Sequence, residues 1–306
     1  DRLFAGRQLR SRCAAGYLAF STGPSPVLGF PGVFTMTSRS RIALFGEVLF
    51  DIFPTGEKIL GGAPFNVAWN LHALGNAPLF ISCVGQDRFG TDILLAMRAW
   101  GMSAAGMQSD PDHATGQVQV ELVDDEPQYH IVPDCAYDFI RVDQVPTLER
   151  GDLLYHGTLG LRHAMSRAAL EQLRHSEDVS IFLDVNLRAP WWDQQDVEGW
   201  LSKARWVKLN QDELRALGFR ESSLPHALAN LQNRFQVEQA ILTCGEAGAI
   251  VRTLSGEMHQ RAASPVEHFI DTVGAGDAFS AVYLHGLLAG WSIPETLDAA
   301  HRFTGS

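Results

Sequence analysis

The residues best placed to do chemistry lie late in the chain. Asp271-Thr272-Val273-Gly274-Ala275-Gly276-Asp277 sets two glycines and a carboxylate ahead of an apolar helical run, Ala278 to Leu288, with Phe269-Ile270 before it. A Gly-rich turn thus leads into a helix N-terminus. Backbone N–H groups there lack intrahelical partners, and the helix dipole adds about half a positive charge. Such a turn is an anion site, and Gly274 and Gly276 let the backbone approach a phosphate closely. Asp277 is a poor phosphate ligand, because like charges repel. It suits a base that takes a proton from a hydroxyl attacking phosphorus. It suits a helix cap or dipole partner equally well.

Two other phosphate-binding motifs fail. A dinucleotide fingerprint needs a small third position, which here is Phe279. No GxxxxGK[ST] occurs, and none of the three lysines (Lys58, Lys203, Lys208) follows a glycine. A phosphate site in this chain is therefore expected to rely on backbone amides, arginine and metal.

The elements that must position this turn alternate. Ile42 to Phe45 reads as a strand ending at Gly46, Phe65 to Leu74 as a helix, Leu79 to Val84 as a strand and Asp92 to Trp100 as a helix. Strands follow at Leu153–Tyr155, Ile181–Leu183, Trp206–Leu209 and Ala240–Leu242, each with a helical pattern after it. That alternation predicts a mostly parallel sheet with helices on both faces. Between Gly116 and Val132 the period changes to two around an Asp124–Pro127 turn, which predicts a hairpin. The hairpin reads either as a lid over the strand ends or as a plain edge.

Of 306 residues, 46% are hydrophobic and 19% charged, with a formal net charge of −11. The chain can bury a large core, and it has no basic run of the kind that tracks nucleic acid. No apolar stretch approaches the ~18 residues of a membrane span. Cys13, Cys83, Cys135 and Cys244 are widely spaced, which argues against a disulfide framework and for a reducing cytoplasm. Residues 1–40, broken by Gly and Pro and carrying Met36 near their end, are expected to be a tail outside the domain. The domain is expected over 41–306, truncated within its last helix, Pro294 to Phe303, and so weakly active or inactive.

At this point the turn can be set beside a second stretch, Gly61-Gly62-Ala63-Pro64-Phe65-Asn66-Val67-Ala68. The two resemble the C-terminal and N-terminal signatures of the PfkB, or ribokinase-like, carbohydrate kinases. Smaller pieces follow in that family's order: Val84 to Gly90, Asp184-Val185-Asn186-Leu187-Arg188, Asn210-Gln211-Asp212-Glu213 and Thr243 to Gly248. The resemblance spans about residues 41 to 306. It implies a three-layer α/β/α sandwich with a small β lid, and ATP-dependent phosphorylation of a sugar hydroxyl.

The resemblance also implies roles. Asp277 is the base, and Gly274, Ala275 and Gly276 form the anion hole. Asp51, expected near the end of the first strand, binds sugar hydroxyls with Gly61, Gly62 and Asn66. Arg188 clamps a phosphate or sugar oxygen, or else makes a surface salt bridge. Thr243, Gly245 and Gly248 cradle the nucleotide, with Asn210. Asn210 and Glu213 hold Mg²⁺, through water, although the same spacing fits a capping box. Asp271 and Thr272 belong to a site for a monovalent cation such as K⁺. His130, His156 and His163 have no motif around them and read as surface or core residues.

The Gly-Gly-Ala-Pro-Phe-Asn wording and Trp191-Trp192 after Arg188 resemble the fructokinase branch. Ribose, 2-keto-3-deoxygluconate and a nucleoside remain alternative acceptors, and a silent sugar-sensing protein of the same fold is the alternative from another class. The expected partners are a sugar and ATP, with a homodimer through the β lid and neither nucleic acid nor membrane.

Overall fold

A computed structural model describes residues 41–262 and 274–304, apart from 124–125, 145–146 and 175–178. In chain order its strands are β1 (Ile42–Phe45), β2 (Leu49–Ile52), β3 (Lys58–Gly61), β4 (Leu79–Gly85), β5 (Met107–Asp110), β6 (Gly116–Val123), β7 (Glu126–Ile131), β8 (Leu153–His156), β9 (Ser180–Asp184), β10 (Trp206–Asn210), β11 (Gln239–Thr243), β12 (Ala249–Thr253) and β13 (Met258–Arg261). The helices are α1 (Ala63–Ala73), α2 (Arg88–Trp100), α3 (Ala164–Leu173), α4 (Gln194–Leu201), α5 (Gln211–Ala216), α6 (Leu224–Phe235), α7 (Ala275–Ala289) and α8 (Ile293–Thr304).

Among the described residues nine strands form one sheet, in the order β13-β12-β11-β10-β9-β8-β1-β4-β5. It is parallel from β11 to β5, and antiparallel only where β12 and β13 close the other edge. Successive side chains of a strand point to opposite faces, and the core divides accordingly. Ala43, Phe45, Leu154, Ile181, Leu183, Val207 and Leu209 pack with α3, α4, α5 and α6. Ile42, Leu44, Leu153, Tyr155, Phe182 and Trp206 pack with α1, α2, α7 and α8. Both faces are covered, which is why these strands read as continuous apolar runs.

The period-two stretch does form a hairpin, β6 with β7. It belongs to a larger unit than the sequence suggested: β3-β2-β6-β7 make a second sheet of four strands. Asp51 is placed accordingly. It lies on β2 of this small sheet and not at the end of the first strand. Gly46, at φ +147°, ends β1, and a Cβ there would stand 2.7 Å from the Pro64 ring. The chain then pairs antiparallel with β3, Asp51 opposite Ile59. Leu49, Val118, Cys135 and Tyr137 form the small sheet's own apolar base.

No helix among the described residues is long and apolar enough to cross a membrane.

Candidate active site

Helix α7 begins at Ala275, three residues earlier than its apolar run, so Asp277 stands in its first turn. The residue before it, Gly274, is left-handed at φ +89° and supplies no side-chain cap. The first helical bond runs from Ala278 N–H to the Gly274 carbonyl. The N–H groups of Ala275, Gly276 and Asp277 precede that bond and so face outward without an intrahelical acceptor. The Gly-rich turn into a helix N-terminus read from the sequence is thus present. Asp271 and Thr272 lie outside the described residues, as do Phe269 and Ile270.

Asp277 is partly accessible at its surface and otherwise walled by protein. Burial raises its carboxyl to about 6; the Asn66 hydrogen bond and the charges of Lys208 and Arg188 oppose the rise, and Asp184 adds to it. The bond is short, Asn66 Nδ2 donating to Asp277 Oδ2 at 2.8 Å. Asn66 sits in the first turn of α1, whose start is fixed by Gly62. That residue has φ +108°, and a Cβ there would lie 2.6 Å from the Glu47 carbonyl oxygen, so only glycine fits. Gly61 carries the chain past Asp51, with Oδ2 3.6 Å from where a Cβ would be. Asp51, Gly61, Gly62 and Asn66 thus converge from the small sheet and α1 toward the start of α7.

Arg188 is exposed, and its Nη1 donates to its neighbour's carbonyl, Leu187 O. Its charge acts on three carboxylates at once: it lowers Asp51, Asp277 and Glu47 against the effect of their burial. Glu47, just past β1, was missed in the sequence. It is 2% exposed, its Oε2 has no hydrogen-bond partner, and burial raises it to about 7.

Strands β10 and β11 end in register, Asn210 opposite Thr243. With Gln211, Asp212, Arg215, Cys244 and Gly245 these residues line an open groove of about 400 Å³. Gly245 (φ +57°) and Gly248 (φ +89°) shape the turn after Thr243, closed by Cys244 N–H donating to the Gly248 carbonyl. Asn210 and Glu213 form the capping box. Glu213 N–H donates to Asn210 Oδ1 at 2.9 Å, and Asn210 N–H to Glu213 Oε2 at 2.8 Å. The other Glu213 oxygen accepts from Leu187 N–H at 3.0 Å. Both oxygens are therefore engaged, and no group of three or more His, Cys, Asp or Glu among the described residues is set to hold a metal.

One lysine does lie beneath the turn, with its charge engaged inside the core. Lys208 stands opposite Asp184 in the β9–β10 register, and its ammonium bonds both carboxylate oxygens, at 2.9 and 2.8 Å. A Cβ on Gly276 would be 3.6 Å from Lys208 Nζ, so the pair lies directly under the anion turn. The sequence held a signal for it. A lysine inside the apolar run Trp206–Leu209 must be paired, because an isolated buried charge is too costly. Only the partner, 24 residues away, was hidden. The histidines behave as expected: His156 is buried and lowered to about 4, His163 caps α3, and His130 is exposed on β7.

Residues 41–304 match the model of the pfkB family carbohydrate kinases. A fructokinase of Klebsiella pneumoniae is 32% identical over 276 residues, covering 85% of this chain and 88% of that protein. The solved Vibrio cholerae O395 fructokinase in its fructose-, ADP- and calcium-bound form superposes with a TM-score of 0.75. That structure is 25% identical and covers 88% of this chain and 91% of its own. A double mutant of that enzyme, solved with fructose, ADP and potassium ion, gives 0.75 at 26% identity, over 87% and 90% of the two chains. The ribokinase-like sandwich, the converging carboxylates and these relatives agree: the chain belongs to the pfkB family of carbohydrate kinases and is a sugar phosphotransferase.

Proposed function

We propose that this enzyme transfers the γ-phosphoryl group of ATP to a hydroxyl of fructose, with Asp277 as general base. The observation that carries the reading is the position of Asp277. It stands in the first turn of α7, beside the free N–H groups of the anion turn, and is held by Asn66 at 2.8 Å. Asp51, Gly61, Gly62 and Asn66 receive the sugar, since carboxylate and amide side chains each engage neighbouring hydroxyls. Arg188 faces the sugar or the transferring phosphate. Gly274, Ala275 and Gly276 take the negative charge of the phosphoryl group, and the Asn210–Gly245 groove with Gly248 takes the nucleotide. General-base help supplies ~10²–10⁴-fold, so positioning and electrostatics carry most of the rate. The fructokinase relatives, one of them solved with fructose and ADP, support the choice of sugar and nucleotide.

Mg²⁺ is proposed as the metal, and bound there it would offset charge on the nucleotide phosphates. The donors that fit are Asn210 and Glu213 acting through water, because their own oxygens already accept backbone N–H bonds. Asp271 and Thr272 are proposed for K⁺. A coupled ADP-release assay over fructose, ribose, 2-keto-3-deoxygluconate and nucleosides tests the reading. Fructose giving the highest kcat/KM supports it; no ADP release with any acceptor contradicts the kinase assignment, and a preference for another acceptor contradicts fructose.

A further inference from the structure

We propose that Lys208 is a positioning residue of this reaction, acting through Asp184 and Ser280 on the first turn of α7. The inference rests on the reading of Asp277 as the base. Its physical content is a chain of short bonds in the core. Lys208 Nζ holds both oxygens of Asp184. Asp184 Oδ2 also accepts from Ser280 Oγ at 2.7 Å and from the Tyr155 hydroxyl at 3.1 Å. Ser280 Oγ shares its single proton between Asp184 and the Gly276 carbonyl, 3.0 Å away, inside the turn that carries the anion hole and the base. Lys208, Asp184 and Ser280 are 7%, 2% and 0% exposed.

The arrangement answers a physical need. The first turn of α7 has no side-chain cap, since Gly274 supplies none, so a tie from the core adds to the Asn66 bond in fixing its orientation. Ser280 lies one turn further on and is tied to β9, the middle strand of the nine-stranded sheet. Asp184 alone would put a second buried carboxylate near Asp277; Lys208 balances it from the neighbouring strand. A displacement near 1 Å at the base can cost about 10²-fold in rate, so a fastening of this kind is catalytically relevant without touching substrate.

The test uses the full chain with fructose and ATP. Ser280→Ala removes the tie to the helix while leaving Asp184 paired. It is expected to lower kcat about tenfold with the sugar KM unchanged, because the sugar contacts are untouched. Lys208→Met is expected to lose more, and Lys208→Arg to recover part of that loss. In the Ser280→Ala/Lys208→Met double variant the losses should be less than additive, as for residues acting through one network. Wild-type kcat in Ser280→Ala, additive losses, or a rise in KM at unchanged kcat would overturn the proposal. If Lys208→Met does not fold, Ser280→Ala decides alone. Failure of the underlying reading looks different: full turnover in Asp277→Asn, or no kinase activity in the wild type.

Discussion

Asn66 and Asp277, 211 residues apart, are joined by a 2.8 Å hydrogen bond that fastens the first turn of α1 to the first turn of α7. The bond stabilises the charged form of a carboxylate that burial pushes up to about 6. Asp277 must be deprotonated to accept a proton, so kcat should rise with pH along an acid limb near 6. Asn66→Ala removes the stabilising donor. The limb should move to higher pH, and sugar KM should rise with it; a limb that stays in place would mean another group titrates.

Glu47 predicts an effect on stability. Its folded-state pKa, about 7, lies above the ordinary glutamate value, so the folded protein holds a proton that the unfolded chain has released. Stability from this group is present at low pH and declines as pH rises from the usual glutamate range through about 7. Glu47→Gln keeps the shape without the charge. It should flatten the fall in melting temperature between about pH 4.5 and 7, the span of those two pKa values. Parallel melting curves for both proteins would exclude Glu47 as the source.

The Asn210–Glu213 box makes a double prediction. Glu213→Gln cannot accept every backbone bond that the carboxylate accepts, and should cost ~1 kcal/mol in denaturant unfolding. The Mg²⁺ concentration for half-maximal rate should also rise. A lower stability with an unchanged metal titration would leave the box as a cap only.

Substrate closure should be visible in the small sheet. Amide exchange in β6 and β7 should slow when fructose and nucleotide are both present, while the nine-stranded sheet changes little. Equal exchange with and without ligands would make the small sheet a fixed wall and not a lid.

Much of this architecture was legible in the sequence. The Gly274–Gly276 turn could be read because glycine and a following apolar helix have few other uses together. The parallel strands could be read because both faces are buried. β2 and β3 were not legible: each has four residues, and Phe53 to Glu57, with Pro54 and Gly56, reads simply as turn. They pair with each other across that stretch, and β2 is joined to the rest of its sheet by β6, 67 residues on. The Asp184–Lys208 pair was hidden for the same reason, since strand register and not local spacing brings the two charges together. Asn210 and Glu213 show the reverse case, where local spacing alone fitted the capping box that forms, as well as the metal role.

The central claim is that Asp277 acts as the base, and Asp277→Asn tests it most directly. The amide keeps the size of the side chain and can still accept from Asn66, so the fold should persist. Removing a buried carboxylate should even stabilise the protein at pH 8, by on the order of 1–2 kcal/mol after screening. The measurement is kcat with fructose and ATP at pH 8, on protein whose circular dichroism matches the wild type. A loss of ~10²-fold or more is the predicted result. A folded Asp277→Asn protein that turns over at the wild-type rate would contradict the account.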